Sequence, residues 1–173
     1  MTDLSFRAAT VTDVDPVVAL VTSAYRGEAS TAGWTSEDHL LKGQRTDAAM
    51  VSAAVSDRDG TVLLAEREGH LLGCIQLTRA GGEAHFGMFA VDPALQAGGV
   101  GSALLTHAED LARSWGCSTM DLEVIAQREL LIAYYERRGY RRTGESTPFP
   151  YGDERFGLPQ RDDLHFVVLR REL

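Results

Sequence analysis

The residues best suited to chemistry lie in Met88-Phe89-Ala90-Val91-Asp92-Pro93-Ala94-Leu95-Gln96-Ala97-Gly98-Gly99-Val100-Gly101-Ser102, where a β-prone run meets a Pro stop, a Gly-dense turn and a helix start. Glycine lacks a Cβ, so successive backbone N–H groups can converge on one point, and the unpaired donors opening the next helix face the same place. The turn reads as an anion cradle. The helix dipole contributes only about 0.3–1 kcal/mol at an exposed site, so direct backbone hydrogen bonds must carry most of the affinity. A triphosphate loop ends in Gly-Lys-Ser or Gly-Lys-Thr, whereas Gly101 is followed by Ser102 and Ala103 with no Lys. A dinucleotide fingerprint requires a third Gly where Leu104 stands. What remains is Q-x-x-G-x-G, met by Gln96, Gly99 and Gly101.

The surrounding pattern supplies the frame that must hold this turn. Residues 3–9 read as an edge-like strand, and Asp15-Pro16 opens a first helix whose apolar positions run to Tyr25. Residues 36–41 are a short helical candidate, and 47–55 a further helix. Three β-prone runs, 61–65, 70–78 and 84–91, are joined by Gly turns and predict an antiparallel meander. Val100, Leu104, Ala108, Leu111 and Trp115 mark one face of a long helix ending at Gly116. Strand 119–125, helix 129–138, strand 140–143 and, after a loop at 145–162, strand 164–169 complete a mixed α/β sheet with helices on both faces.

With 173 residues, 44% of them hydrophobic and 24% charged, one domain over 1–173 is expected to hold a core without disulfides or a structural metal. Cys74 and Cys117 lie in separate apolar runs with no metal-ligand spacing, and read as buried free thiols. No metal is expected. No apolar stretch approaches the roughly 20 residues of a membrane span, and no leader pattern opens the chain, so a cytoplasmic protein without a membrane partner is expected. A formal net charge of -8 argues against nucleic acid.

The strand ending Ala-Val-Asp-Pro, the Q-x-x-G-x-G turn, and the later run Tyr134-Tyr135-Glu136-Arg137-Arg138-Gly139-Tyr140 together resemble the GNAT superfamily of acyl-CoA-dependent N-acyltransferases. The resemblance extends over nearly the whole chain. It implies a central, mostly antiparallel seven-stranded sheet flanked by helices, with acetyl-CoA as co-substrate and an amine-bearing acceptor as partner. By position, Phe89, Ala90, Val91, Gln96, Ala97, Gly98, Gly99, Val100, Gly101, Ser102, Arg128 and Tyr135 would hold the cofactor, with the Val91 N–H facing the thioester oxygen across a bulged strand. Arg128 departs from the Asn often found at its position in the family.

The resemblance places Tyr135 near the sulfur, where a phenol of pKa about 10 would serve a thiolate whose acid is near 8.5. Glu123 shares a strand face with Asp121 and Ile125, and is a candidate base with Glu83 and His85 as rivals. Tyr25, Trp34, Glu37 and Tyr151 are expected among the walls of the acceptor site. The implied activity is transfer of an acetyl group to a primary amine by direct attack in a ternary complex. A catalytically silent CoA-binding module is the competing reading, and a homodimer is left open.

Overall fold

Three Gly-bounded β-prone runs in the middle of the chain pair as a continuous meander, and the other elements are laid against them. A computed structural model describes residues 3–26, 30 and 36–173. Its strands are β1 (Ser5–Ala8), β2 (Leu41–Lys42), β3 (Gly60–Arg67), β4 (His70–Ala80), β5 (Glu83–Val91), β6 (Thr119–Ile125), β7 (Arg141–Pro148), β8 (Leu158–Pro159) and β9 (His165–Glu172). Its α-helices are α1 (Val14–Tyr25), α2 (Ala48–Val55), α3 (Val100–Ser114) and α4 (Glu129–Arg137). Seven strands join in the order β1-β3-β4-β5-β6-β9-β7, and β2 pairs with β8.

The meander closes as its turns dictate. Glu68-Gly69 and Gly81-Gly82 all take positive φ (52°, 78°, 56° and 82°), the two-residue geometry whose twist matches that of the strands it joins. Helices cover both faces. Val17, Val21 and Val51 from α1 and α2 pack on Val62, Leu64 and Cys74, while Leu104, Ala108 and Ile132 from α3 and α4 pack on Leu63, Ile75 and Leu122. Buried Glu109 fixes α3 to the sheet by accepting from the Tyr140 hydroxyl at 2.9 Å and pairing with Arg171 at 3.0 Å.

Two irregularities in β5 create the site. Cys74 is opposite Ala90 and Gln76 opposite Gly87, so Met88 and Phe89 together face the single residue Ile75. This is a bulge. Its centre, Met88, has φ 47°, a left-handed conformation that costs an ordinary side chain about 1–2 kcal/mol. Burying the methionine against α1 returns an amount of the same order. The extra residue reverses the strand's facing: Ala84, Phe86 and Val91 point to the α3 side, whereas Met88 and Ala90 point to the α1 side. In addition, β5 pairs with its parallel neighbour β6 only at Glu83↔Thr119, Ala84↔Met120 and His85↔Asp121. Beyond His85 the strands part.

The expected helix at 36–41 is instead a single turn, in which the N–H groups of Leu40 and Leu41 both donate to the Glu37 carbonyl at 2.8 Å, after which Leu41 enters β2. Six residues are too few to offset the cost of nucleating a helix when a strand partner is at hand. The expected loop at 145–162 likewise contains the end of β7 and all of β8.

Candidate active site

Parting strands leave backbone groups and side chains facing a gap, and two cavities open there. The first, of about 230 Å3, lies between the separated halves of β5 and β6 and is lined by Tyr25, Glu37, His85, Glu123, Arg128 and Tyr135 among others. The second, of about 210 Å3, is lined by Gln96, Ala97, Gly99, Gly101, Ser102 and Tyr134, together with Val91. Tyr25, Phe89, Leu131 and Tyr135 line both, so these four side chains stand where the cavities meet.

The second cavity has the chemistry of an anion cradle. The first intrahelical bond of α3 is donated by Ala103 to the Gly99 carbonyl at 3.0 Å, leaving the N–H groups of Val100, Gly101 and Ser102 as orphan donors at the helix start. Gly99 has φ 81° and supplies no side-chain cap. A Cβ on Gly101 would lie 3.4 Å from Val91 and 3.6 Å from Phe89, so a larger residue would fill the approach. These residues fit a diphosphate and the chain that follows it.

The β5 edge presents matching donors. Asp92 donates to the Leu72 carbonyl at 2.9 Å, so strand alternation turns the Val91 N–H to the opposite edge, where pairing with β6 has ended. The carbonyls on that edge are already engaged: the Tyr25 hydroxyl donates to Phe89, and the Gln96 amide donates to Val91 at 3.3 Å. Ala90 instead lies buried on the α1 side of the sheet. Gly98 and Val100 are in the turn but do not line the cavity.

Tyr135 is buried at 4% exposure, and burial holds its phenol well above the ordinary value of 10, so it stays protonated at any working pH. Its ring is fixed by edge contacts with Phe86, Tyr134 and Tyr140. His85 and Asp121, paired at the last point where β5 meets β6, are joined by a 2.6 Å contact from Nδ1 to Oδ1, with Arg170 on the other Asp121 oxygen at 3.2 Å. Glu123 lines the first cavity as an exposed carboxylate that accepts from the Thr147 hydroxyl at 2.8 Å.

At the α1 end of the first cavity lies a buried ionic cluster. Glu37 accepts from Arg26 at 2.7 Å and Arg128 at 3.1 Å, while Arg45 stacks over the Tyr25 ring at 5.0 Å. Burial alone would raise the Glu37 carboxyl, but Arg128, Arg45 and Arg26 more than offset this and hold it below its ordinary value. A lowered folded-state pKa stabilises the fold fully above the unfolded value of about 4.3, and that stabilisation fades as pH falls through the folded one. Glu37→Gln leaves buried guanidinium groups without their counter-charge, so it is expected to cost about 3–5 kcal/mol of unfolding free energy at pH 7. Urea denaturation checks this; a loss under about 1 kcal/mol would mean that the cluster is solvated.

The sequence-derived residues thus divide. Tyr25, Glu37, His85, Glu123 and Tyr135 converge on the first cavity. Arg128, expected at the cofactor, is turned to Glu37 in that same cavity. Tyr151, expected in the acceptor wall, does not line it: its hydroxyl donates to the Arg161 carbonyl and accepts from the Leu164 N–H, both at 2.9 Å, stapling the C-terminal loop. Trp34 lies outside the described residues. Phe149, Phe156 and Phe166, which form an apolar wall, were not singled out individually from the sequence. Both cysteines are buried, and burial pushes the Cys74 thiol up to about 12. Among the described residues, no His, Cys, Asp and Glu cluster could hold a metal, and no helix is long and apolar enough to cross a membrane.

The sheet is thus split and bulged, with orphan helix-start donors on one side of the gap and a side-chain pocket on the other. The acetyltransferase (GNAT) family matches residues 21–140, and the chain belongs to that family, whose acyl donor is acetyl-CoA. It is 32% identical over 132 residues to a mycothiol acetyltransferase of Clavibacter sepedonicus, an alignment covering 76% of this chain and 41% of that one. It is 34% identical over 99 residues to an IAA acetyltransferase of Azospirillum brasilense, covering 56% and 63% respectively. The chain therefore spans about half the length of these curated relatives. The fold matches that of yncA from Salmonella typhimurium, solved with acetyl-CoA, at a TM-score of 0.69 and 19% identity over 98% of this chain and 94% of that one.

Proposed function

We propose that this chain transfers an acetyl group from acetyl-CoA to a primary amine seated in the first cavity, by direct attack in a ternary complex. The observation that carries this reading is the meeting of the two cavities at Tyr135, Phe89, Tyr25 and Leu131. Acetyl-CoA supplies an activated thioester carbonyl. The donors opening α3 hold its diphosphate, and the Val91 N–H faces the carbonyl oxygen, where charge develops.

His85 takes the proton of the attacking amine. Asp121 holds the imidazole through Nδ1, which leaves Nε2 to accept, and Glu123 lies on the same wall to attract an ammonium group. The Tyr135 phenol, its pKa raised above 10, donates a hydrogen bond to a sulfur whose own acid is near 8.5, and keeps its proton at the end of the cycle. A covalent route through cysteine finds no support, since Cys74 is fully buried with a protonated thiol and Cys117 lines neither cavity.

Thiol release from acetyl-CoA in the presence of an amine panel is the test. Turnover that depends on an unprotonated amine is expected, and His85→Gln should lower kcat about 100-fold. Tight CoA binding with no acetylated amine in the panel would favour a silent CoA-binding module.

A further inference from the structure

The first cavity is electrically two-ended. Among the described residues, its α1 end gathers the guanidinium groups of Arg26, Arg45 and Arg128 around the carboxylate of Glu37. Its other end carries Glu123 and the His85–Asp121 pair. In a chain of formal net charge -8, this gathering of guanidinium groups among the described residues is not the average surface showing through. Moreover, Arg26 is only 5% exposed, and its Nε and Nη2 are buried with no hydrogen-bond partner. Buried guanidinium donors are normally paired, because an unpaired one forfeits its hydration and gains nothing in exchange. Arg45, half-buried over the Tyr25 ring, has no carboxylate within 4.0 Å among the described residues.

We propose, resting on the acetyl-transfer reading above, that the acceptor carries a carboxylate besides its amine: the carboxylate docks on Arg26 and Arg45, and the amine points to Glu123 and His85. Glu37 reaches Arg26 through a single nitrogen, and a second carboxylate would engage the remaining Arg26 donors together with Arg45. A guanidinium fork suits a carboxylate in two-point contact. The cavity volume of about 230 Å3 fits one amino acid and excludes a folded protein surface, and Leu41, Phe149, Phe156 and Phe166 offer an apolar wall for its side chain.

The experiment compares matched acceptors: phenylalanine with phenethylamine and phenylalaninamide, and leucine with isoamylamine. Thiol release should give kcat/KM at least about 100-fold higher for each acid than for its neutral partner, and Arg45→Gln should shrink that ratio to about 10-fold or less through KM. If phenethylamine or isoamylamine matches its acid in the unaltered enzyme, the carboxylate site is overturned while acetyl transfer stands. If no acceptor turns over, thermal shifts with CoA present decide. A rise given by N-acetylphenylalanine but not by N-phenethylacetamide, and lost in Arg45→Gln, supports the carboxylate site though acetyl transfer fails. No rise with any of these probes overturns it.

Discussion

Tyr135→Phe is expected to lower kcat about 100-fold while the Kd for CoA stays within about threefold, because one hydrogen-bond donor at the reacting centre is typically worth that much. The substitution removes one oxygen and leaves the ring among Phe86, Tyr134 and Tyr140, so packing is preserved. Among the described residues no group hydrogen-bonds the Tyr135 hydroxyl, so its loss orphans no partner in the protein. The fold should therefore tolerate the change, and the melting temperature should move by no more than a few degrees. A burial-raised pKa also sets the sign of the pH response. The phenol is already protonated through neutral pH, so the variant should lose rate evenly from pH 6 to 9 and gain no new titration. A matched fall in kcat and CoA affinity would demote Tyr135 to a packing residue.

How far such a site can be read before any coordinates depends on which signals are local. The meander was legible because Glu68-Gly69 and Gly81-Gly82 announce turns by residue type, and the cradle because Gly98, Gly99 and Gly101 crowd a strand-to-helix junction. The bulge gave no such sign. Ala84, Phe86, Met88 and Ala90 alternate with their neighbours as an unbroken strand would, so the periodicity conceals the facing reversal that Met88 introduces. In the sequence, the bulge entered only through family resemblance. The ionic cluster was hidden for a different reason: Glu37 and Arg128 are separated by 91 positions and meet only because the strands part, so no spacing rule relates them. In the sequence Arg26 is one charge among Glu28, Glu37 and Arg45, with no pattern to set it apart. Its significance is the burial of its guanidinium, which side-chain type does not predict.

The largest effect expected of any single substitution is that of Gly99→Glu, which should weaken CoA binding by at least about 1000-fold, beyond the range of ordinary calorimetry. Two penalties act together. A non-glycine residue at φ 81° is strained by about 1–2 kcal/mol, a cost borne by the fold. The larger penalty falls on the site, where a carboxylate would sit beside the orphan donors of α3, occupy them and repel a diphosphate. Gly116 separates the two. It also has φ 81°, and at both positions an added Cβ meets nothing within 4 Å, but Gly116 follows the opposite end of the same helix. Gly116→Glu therefore carries the same backbone strain and the same charge while leaving the cradle intact, and its Kd for CoA should stay near that of the unaltered protein. If both variants lost CoA together, the effect would belong to α3 as a folded element, and the donors opening it would lose their claim to the diphosphate.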